Sequence, residues 1–273
     1  MRSVASIFGR SKALIGMVHL RALPGSPGAG MSVSRIFATA AEEAQVLADA
    51  GFDGLIVENM HDRPYVHADH GPETTAAMTL AAAAVKEAAP GLALGVQVLS
   101  GGNREALAIS LAVGGSFVRC ENFVFAHVAD EGLLARAEAG PLLRYRRAIG
   151  AEGVAVLCDI KKKHASHAIT ADVSIGEAAE AAEFFGADGV IVTGQATGKP
   201  TSVQDVAEVR RAMRLPVLVG SGVTPESAGA LLEHADALIV GSWIKRGGKW
   251  SNPLDARRCR EMAGAVERAR RGT

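Results

Sequence analysis

Pro216-Val217-Leu218-Val219-Gly220-Ser221-Gly222-Val223-Thr224-Pro225-Glu226 decides how this chain is read. A short apolar run ends in a glycine turn. The turn enters a helix marked by Thr224 as N-cap, proline at the first helical position and an acid behind it. The pattern returns in Ala237-Leu238-Ile239-Val240-Gly241-Ser242. Glycine has no Cβ, so such turns let backbone N–H groups come close to an anion. Two of them on consecutive strands, late in an α/β chain, point to the phosphate cradle of a (β/α)8 TIM barrel.

Working outward, the other apolar runs fit the same architecture. Ala13–His19, Leu55–Glu58, Leu94–Leu99, Phe117–Cys120, Val154–Ile160, Gly189–Thr193, Pro216–Gly220 and Ala237–Gly241 read as strands. Most are continuous instead of alternating, as expected of parallel strands buried on both faces. Ala-rich amphipathic segments lie between them: Ser34–Ala50, Thr74–Ala89, Asn103–Val113, Ile175–Phe185, Val203–Met213 and Pro225–Glu233. Gly51-Phe52-Asp53-Gly54, Gly186-Ala187-Asp188-Gly189 and Ala235-Asp236-Ala237 mark recurring helix-to-strand junctions, the early glycine fitting a helix C-cap. Ser174-Ile175-Gly176-Glu177 is a capping-box pattern. Regular βα alternation with eight units predicts a closed parallel barrel. No linker divides the chain, so residues 1–273 are expected to form one barrel domain with a final outer helix within Pro253–Arg271.

Composition narrows the function. The 273 residues suit one large α/β domain, and 48% hydrophobic residues supply a large core. Lys plus Arg equals Asp plus Glu at 29 each, and aromatics are only 4%, so neither charge nor stacking residues support nucleic-acid binding. Three widely spaced cysteines, Cys120, Cys158 and Cys259, make no disulfide framework and fit a reducing cytoplasm. Met1–Lys12 lacks the long apolar core of a signal peptide, and no run approaches the ~20 residues of a membrane span. A homo-oligomer is expected.

Active sites of such barrels lie at the C-terminal ends of the strands. The long segments Asn59–Glu73, Glu121–Gly140 and Lys161–Asp172 all follow strands and fall on that face. Polar residues end strand after strand: His19, Glu58-Asn59, Gln97, Arg119, Asp159 and Thr193-Gly194-Gln195. Asp159 and Lys161 stand at i and i+2, which places an acid and an amine on one face of a strand. Asp159, Lys161, Glu58 and His19 are therefore the candidates for proton transfer. Gly220, Ser221, Gly222, Gly241 and Ser242 are the candidates for phosphate, with Lys245 just beyond. Asn59, Gln97, Arg119, His164 and Thr193 are candidates for the rest of a substrate. No cofactor is firmly implied. A divalent metal is the one to consider, since His61, Asp62, His67, Asp69 and His70 follow Glu58, but their spacing matches no zinc signature.

At these residues the chain resembles the BtpA/SgcQ family. The matching pieces are Gly16-Met17-Val18-His19-Leu20 with Leu23-Pro24-Gly25, and Gly54–Asn59 with Asp62 and Pro64. They continue with Phe117-Val118-Arg119, Asp159 through Lys163-His164-Ala165, Val192-Thr193-Gly194 with Thr197-Gly198, Val219–Gly222 and Ile239–Gly241. After strand 3 many members carry an Asn-Val-Leu-Arg-Asn-Asp-like stretch, where this chain has Gln97-Val98-Leu99-Ser100-Gly101-Gly102. The resemblance implies a barrel of the ribulose-phosphate-binding type. It settles no activity, and other members resemble companions of sugar or nucleoside catabolism; the mouth residues point to an enzyme on a phosphorylated sugar or nucleoside-derived substrate, of isomerase, lyase or aldolase type, with a sugar-phosphate sensor as an alternative. One branch implies instead a photosystem I biogenesis or stability factor.

Overall fold

A computed structural model describes residues 2–194 and 200–272, so Gln195, Thr197 and Gly198 lie outside the described residues. Among the described residues, eight parallel strands close a barrel. They are β1 (Ala13–His19), β2 (Gly54–Glu58), β3 (Ala93–Gln97), β4 (Phe117–Cys120), β5 (Ala155–Ile160), β6 (Gly189–Val192), β7 (Val217–Val219) and β8 (Ala237–Val240). Each strand pairs with its neighbours in the sequence of barrel strands, and β8 returns to β1.

The strands are apolar on both faces because both faces are buried. Their outward residues, such as Val57, Val96, Val156 and Val219, pack against helix residues including Leu47, Ala81, Ile109, Ala182 and Met262. Their inward residues form a second core of Ile15, Met17, Ile56, Phe117, Leu157, Ile191, Leu218 and Ile239. Gly95 leaves the space for Phe117: a Cβ there would stand 2.3 Å from the Phe117 ring. The bottom of this core is plugged by the short helix Val4–Phe8, whose Phe8 ring meets Phe117 edge-on at 5.1 Å.

The expected helices are present, with ends shifted by one or two residues: Val33–Asp49, Pro72–Ala88, Asn103–Val113, Ile175–Phe184, Val203–Ala212, Pro225–Leu231 and the outer Ala256–Arg271. Thr224 and Ser174 cap their helices as read. The recurring junctions have a common physical role. Asp53, Asp188 and Asp236 accept from amides at the starts of the preceding strands, Leu14 N at 2.7 Å, Val156 N at 2.9 Å and Val217 N at 2.8 Å. Each is also paired with an arginine, Arg270, Arg146 or Arg210.

Two features differ from the sequence reading. Ala139–Ala148 is a helix, and it buries only Ala139 and Leu142, so its amphipathic signal is weak. The segments after β4 and β5 also carry short strands, His127–Ala129, Gly132–Leu134 and Ala165–Ser166, which form a small antiparallel sheet. The tip of its hairpin, Asp130-Glu131, reaches the barrel mouth. No helix among the described residues is long and apolar enough to cross a membrane.

Candidate active site

Side chains alternate across a strand, so each inward row that is apolar at the bottom has one further member at the top. In this chain that last member is His19 on β1, Glu58 on β2, Gln97 on β3, Arg119 on β4 and Asp159 on β5. The register sets His19 beside Glu58 and Glu58 beside Gln97. All five line one cavity of about 380 Å³ at the C-terminal mouth, together with Gly220, Ser221, Gly222, Gly241 and Ser242. Thr193 ends the β6 row, but its Oγ1 accepts the Lys163 amide at 2.9 Å and so positions the β5 loop.

Buried charges at the mouth are paired. Arg119 Nε lies 3.2 Å from both Asp159 oxygens, and Nη2 lies 3.1 Å from Oδ2. Burial works against the Arg119 charge, yet Asp159 and then Glu58 hold the guanidinium above its ordinary pKa. Burial raises the Asp159 carboxyl, with Arg119 opposing. His19 Nε2 is 3.4 Å from Glu58 Oε2, and Nδ1 is 3.3 Å from the Trp250 carbonyl. Burial, helped by Lys245, holds the His19 imidazole well below 6.5. Burial also raises Glu58, against the pull of Arg119 and Lys163. With Nδ1–H donating to Trp250, a neutral His19 presents Nε2 as an acceptor toward Glu58. The 3.4 Å separation is longer than a formed hydrogen bond.

The glycine turns divide in two. The Gly220 amide donates to Val192 O at 2.8 Å, so it belongs to the sheet ladder and is not a free anion donor. Its missing Cβ serves packing, since one would meet Ile191 Cγ2 at 2.6 Å. The amides of Gly222, Gly241 and Ser242, by contrast, have no acceptor among the described residues. Gly222 has φ +63°, the left-handed conformation that disfavours side chains. Gly241 lies against the His19 ring, where a Cβ would come within 3.4 Å of Cε1. The β8 turn therefore brings backbone directly beside one of the acid–base candidates.

The loop after β5 corrects the pairing of Asp159 with Lys161. The strand ends at Ile160, and Lys161 takes φ +41°, which breaks the alternation. Its Nζ donates to Thr170 O at 3.0 Å, outside the mouth. Lys162 and Lys163 line the cavity instead. Lys162 is buried on Glu121 at 2.9 Å, and although burial opposes its charge, Glu121 raises its pKa. Glu121 is lowered in return: burial opposes this, but Lys162 and the Gly101 amide outweigh it. The Lys163 ammonium is destabilised by burial and then by Arg119, which lower its pKa.

Other candidates fall where the sequence did not predict. Asn59 is a structural clamp: it accepts from Leu99 N at 2.7 Å and donates to Leu99 O and Asp62 Oδ2, each at 3.0 Å. His164, like Lys161, has positive φ, and it lines the cavity. The His61 ring lies tilted against Trp250 with centroids 4.9 Å apart, whereas His70 Nε2 meets Ser100 O at 3.3 Å. Among the described residues no three His, Cys, Asp or Glu side chains converge in a metal-binding group. Lys245, expected to add charge beside the β8 turn, is buried on Glu43 at 2.8 Å. Arg63 and Trp250 also line the mouth, with the guanidinium 4.9 Å above the indole. They come from long loops that carry no local motif.

Comparison with known proteins bears on the family and the fold. The BtpA family model matches residues 10–268. A Caenorhabditis elegans protein named as mitochondrial, F13E9.13, is 44% identical over 93% of each chain. The Synechocystis photosystem I biogenesis protein BtpA is 35% identical, covering 91% of this chain and 85% of its own. Among solved structures, (S)-3-O-geranylgeranylglyceryl phosphate synthase from Thermoplasma acidophilum, in complex with sn-glycerol-1-phosphate, superposes with a TM-score of 0.60. It is 18% identical and covers 97% of this chain and 99% of its own, which establishes the shared barrel fold.

Proposed function

The chain belongs to the BtpA family, and on that premise we propose that its barrel mouth is an enzyme site for a phosphorylated small molecule, a sugar phosphate or a nucleoside-derived phosphate. One observation carries the reading. The turn residues Gly222, Gly241 and Ser242, whose amides have no acceptor among the described residues, line the same cavity as the buried acid–base groups of β1, β2 and β5. The amides of Gly222, Gly241 and Ser242 anchor the phosphate. Arg119, fixed by Asp159, and Gln97, whose buried Oε1 has no partner among the described residues, orient the remainder. Anchoring a remote phosphate holds the reacting carbon in place.

Glu58 and His19 move the proton. Burial raises the Glu58 carboxyl and lowers the His19 imidazole, which brings the two groups toward each other in basicity and suits proton transfer during isomerisation, lyase or aldol-type chemistry. An open mouth lined by convergent polar groups favours this reading over an assembly factor, whose barrel would not require them. The test is a thermal-shift screen of sugar phosphates and nucleoside phosphates beside their unphosphorylated parents. Stabilisation confined to the phosphorylated members supports the site, and equal stabilisation by both contradicts it. For the compound that is turned over, Glu58→Gln retains binding and lowers kcat about 100-fold or more.

A further inference from the structure

The three consecutive lysines after β5 meet three different fates. Lys161 Nζ is held by the Thr170 carbonyl, and Lys162 Nζ by Glu121. Lys163 is half-buried at the cavity wall, and its Nζ has no hydrogen-bond or ion-pair partner among the described residues. Its backbone, in contrast, is fixed: the amide donates to Thr193 Oγ1 at the end of β6. The stem is thus anchored between β5 and β6 while the amine is left to the cavity. A lysine that only balanced charge would be expected to rest on one of the mouth carboxylates. Here Asp159 is already held by Arg119, Glu121 by Lys162, and Glu58 stands against His19, and Lys163 forms no ion pair with the hairpin-tip acids Asp130 and Glu131 that also line the cavity.

We propose that Lys163 is the nucleophile of this site and forms an imine with a carbonyl group of the phosphorylated substrate, so that the substrate class is an aldose or ketose phosphate in its open-chain form. This rests on the phosphate-site reading and deepens it. The unprotonated Nζ attacks the carbonyl carbon, the C–N bond forms and the carbonyl oxygen takes up a proton as a carbinolamine. Loss of the nitrogen proton and of that hydroxyl as water completes the C=N bond, with no oxidant or reductant consumed. Glu58 in its protonated form donates the proton to the departing hydroxyl and, as the carboxylate, takes it back from water in the return direction, while His19 Nε2, 3.4 Å from Glu58, accepts the proton lost from nitrogen. The same burial and the Arg119 charge that lower the Lys163 pKa increase the fraction of free amine at neutral pH. Arg119 lines the same cavity as a fixed cation whose charge acts on Lys163, and it is able to stabilise an enolate oxygen of the bound substrate.

The experiment treats the full chain with glyceraldehyde 3-phosphate, with dihydroxyacetone phosphate and with unphosphorylated glyceraldehyde, each followed by borohydride reduction and peptide mass mapping. Inorganic phosphate affinity is measured in parallel by calorimetry. A reduced adduct on Lys163, formed at least about tenfold more with the phosphorylated carbonyls and suppressed by inorganic phosphate, is the expected result. It disappears in Lys163→Arg, which keeps a cation on the loop, and persists in Lys161→Ala. Adducts spread over surface lysines, or none on Lys163 while phosphate still binds, overturn the imine and leave the anchor standing. An adduct on Lys163 of equal yield with glyceraldehyde and its phosphate, with no phosphate affinity, keeps the imine and overturns the anchor.

Discussion

Arg119 and Asp159 clasp each other across neighbouring strands, with Nε 3.2 Å from each carboxylate oxygen and both side chains buried. The pair fixes a cation at the floor of the mouth without leaving the acid uncompensated. Removing one partner strands the other charge in a low-dielectric site. Arg119→Met is expected to cost ~3–5 kcal/mol in denaturant unfolding, and Asp159→Asn, which leaves the buried guanidinium charged beside a neutral amide, is expected to be destabilising as well. Equal stability of wild type and Arg119→Met would mean the pair is not closed as described.

The two glycines of the β7 turn do different work and should fail differently. Gly220→Ala places a methyl against Ile191, so stability falls by ~1–3 kcal/mol, while phosphate affinity in the folded protein changes little. Gly222→Val strains a backbone at φ +63° and covers a free amide, so phosphate-ester affinity falls about tenfold or more, ~1.4 kcal/mol per decade. Calorimetry on both variants reads the contrast, and the reverse assignment would mean the turn binds no anion through Gly222.

The lysine loop supplies a third prediction. Lys161→Ala, outside the mouth, leaves turnover within about twofold of wild type. Lys162→Met leaves Glu121 buried without its partner and lowers stability by ~3–5 kcal/mol, read by thermal or denaturant unfolding. Loss of turnover in Lys161→Ala with stability intact would return that residue to the site.

Acid sensitivity follows from the histidines of the loops. Burial lowers His61 and His127 from 6.5 to about 4. Between those values the unfolded chain binds protons that the folded chain refuses, so the contribution of these two groups to stability is full above about pH 6.5 and declines as pH falls toward about 4. His127→Phe removes one such group and is expected to flatten the decline of Tm across that window. An unchanged slope would place the His127 proton elsewhere.

Much of the mouth was legible because a strand repeats every second residue. Met17 leads to His19, Ile56 to Glu58, Phe117 to Arg119 and Leu157 to Asp159, so the polar ends of the inward rows could be read from the chain. The same rule misdirected the reading at Lys161, because the strand stops at Ile160 and positive φ at Lys161 and His164 re-aims the loop. Lys163 had no periodicity to reveal it. Gly220 and Gly222 look alike as residues, and only the ladder bond to Val192 separates them. Trp250 and Arg63 reach the mouth from distant segments, and their meeting is a product of tertiary packing alone.

The most direct measurement is a crystal structure of the full chain with inorganic phosphate or a sugar phosphate bound. The expected result is an anion within hydrogen-bond distance of the Gly222 and Ser242 amides, with the rest of the ligand directed toward Lys163 and Glu58. An anion seated elsewhere in the mouth, on Arg63 for example, with those amides unoccupied, would contradict the phosphate site.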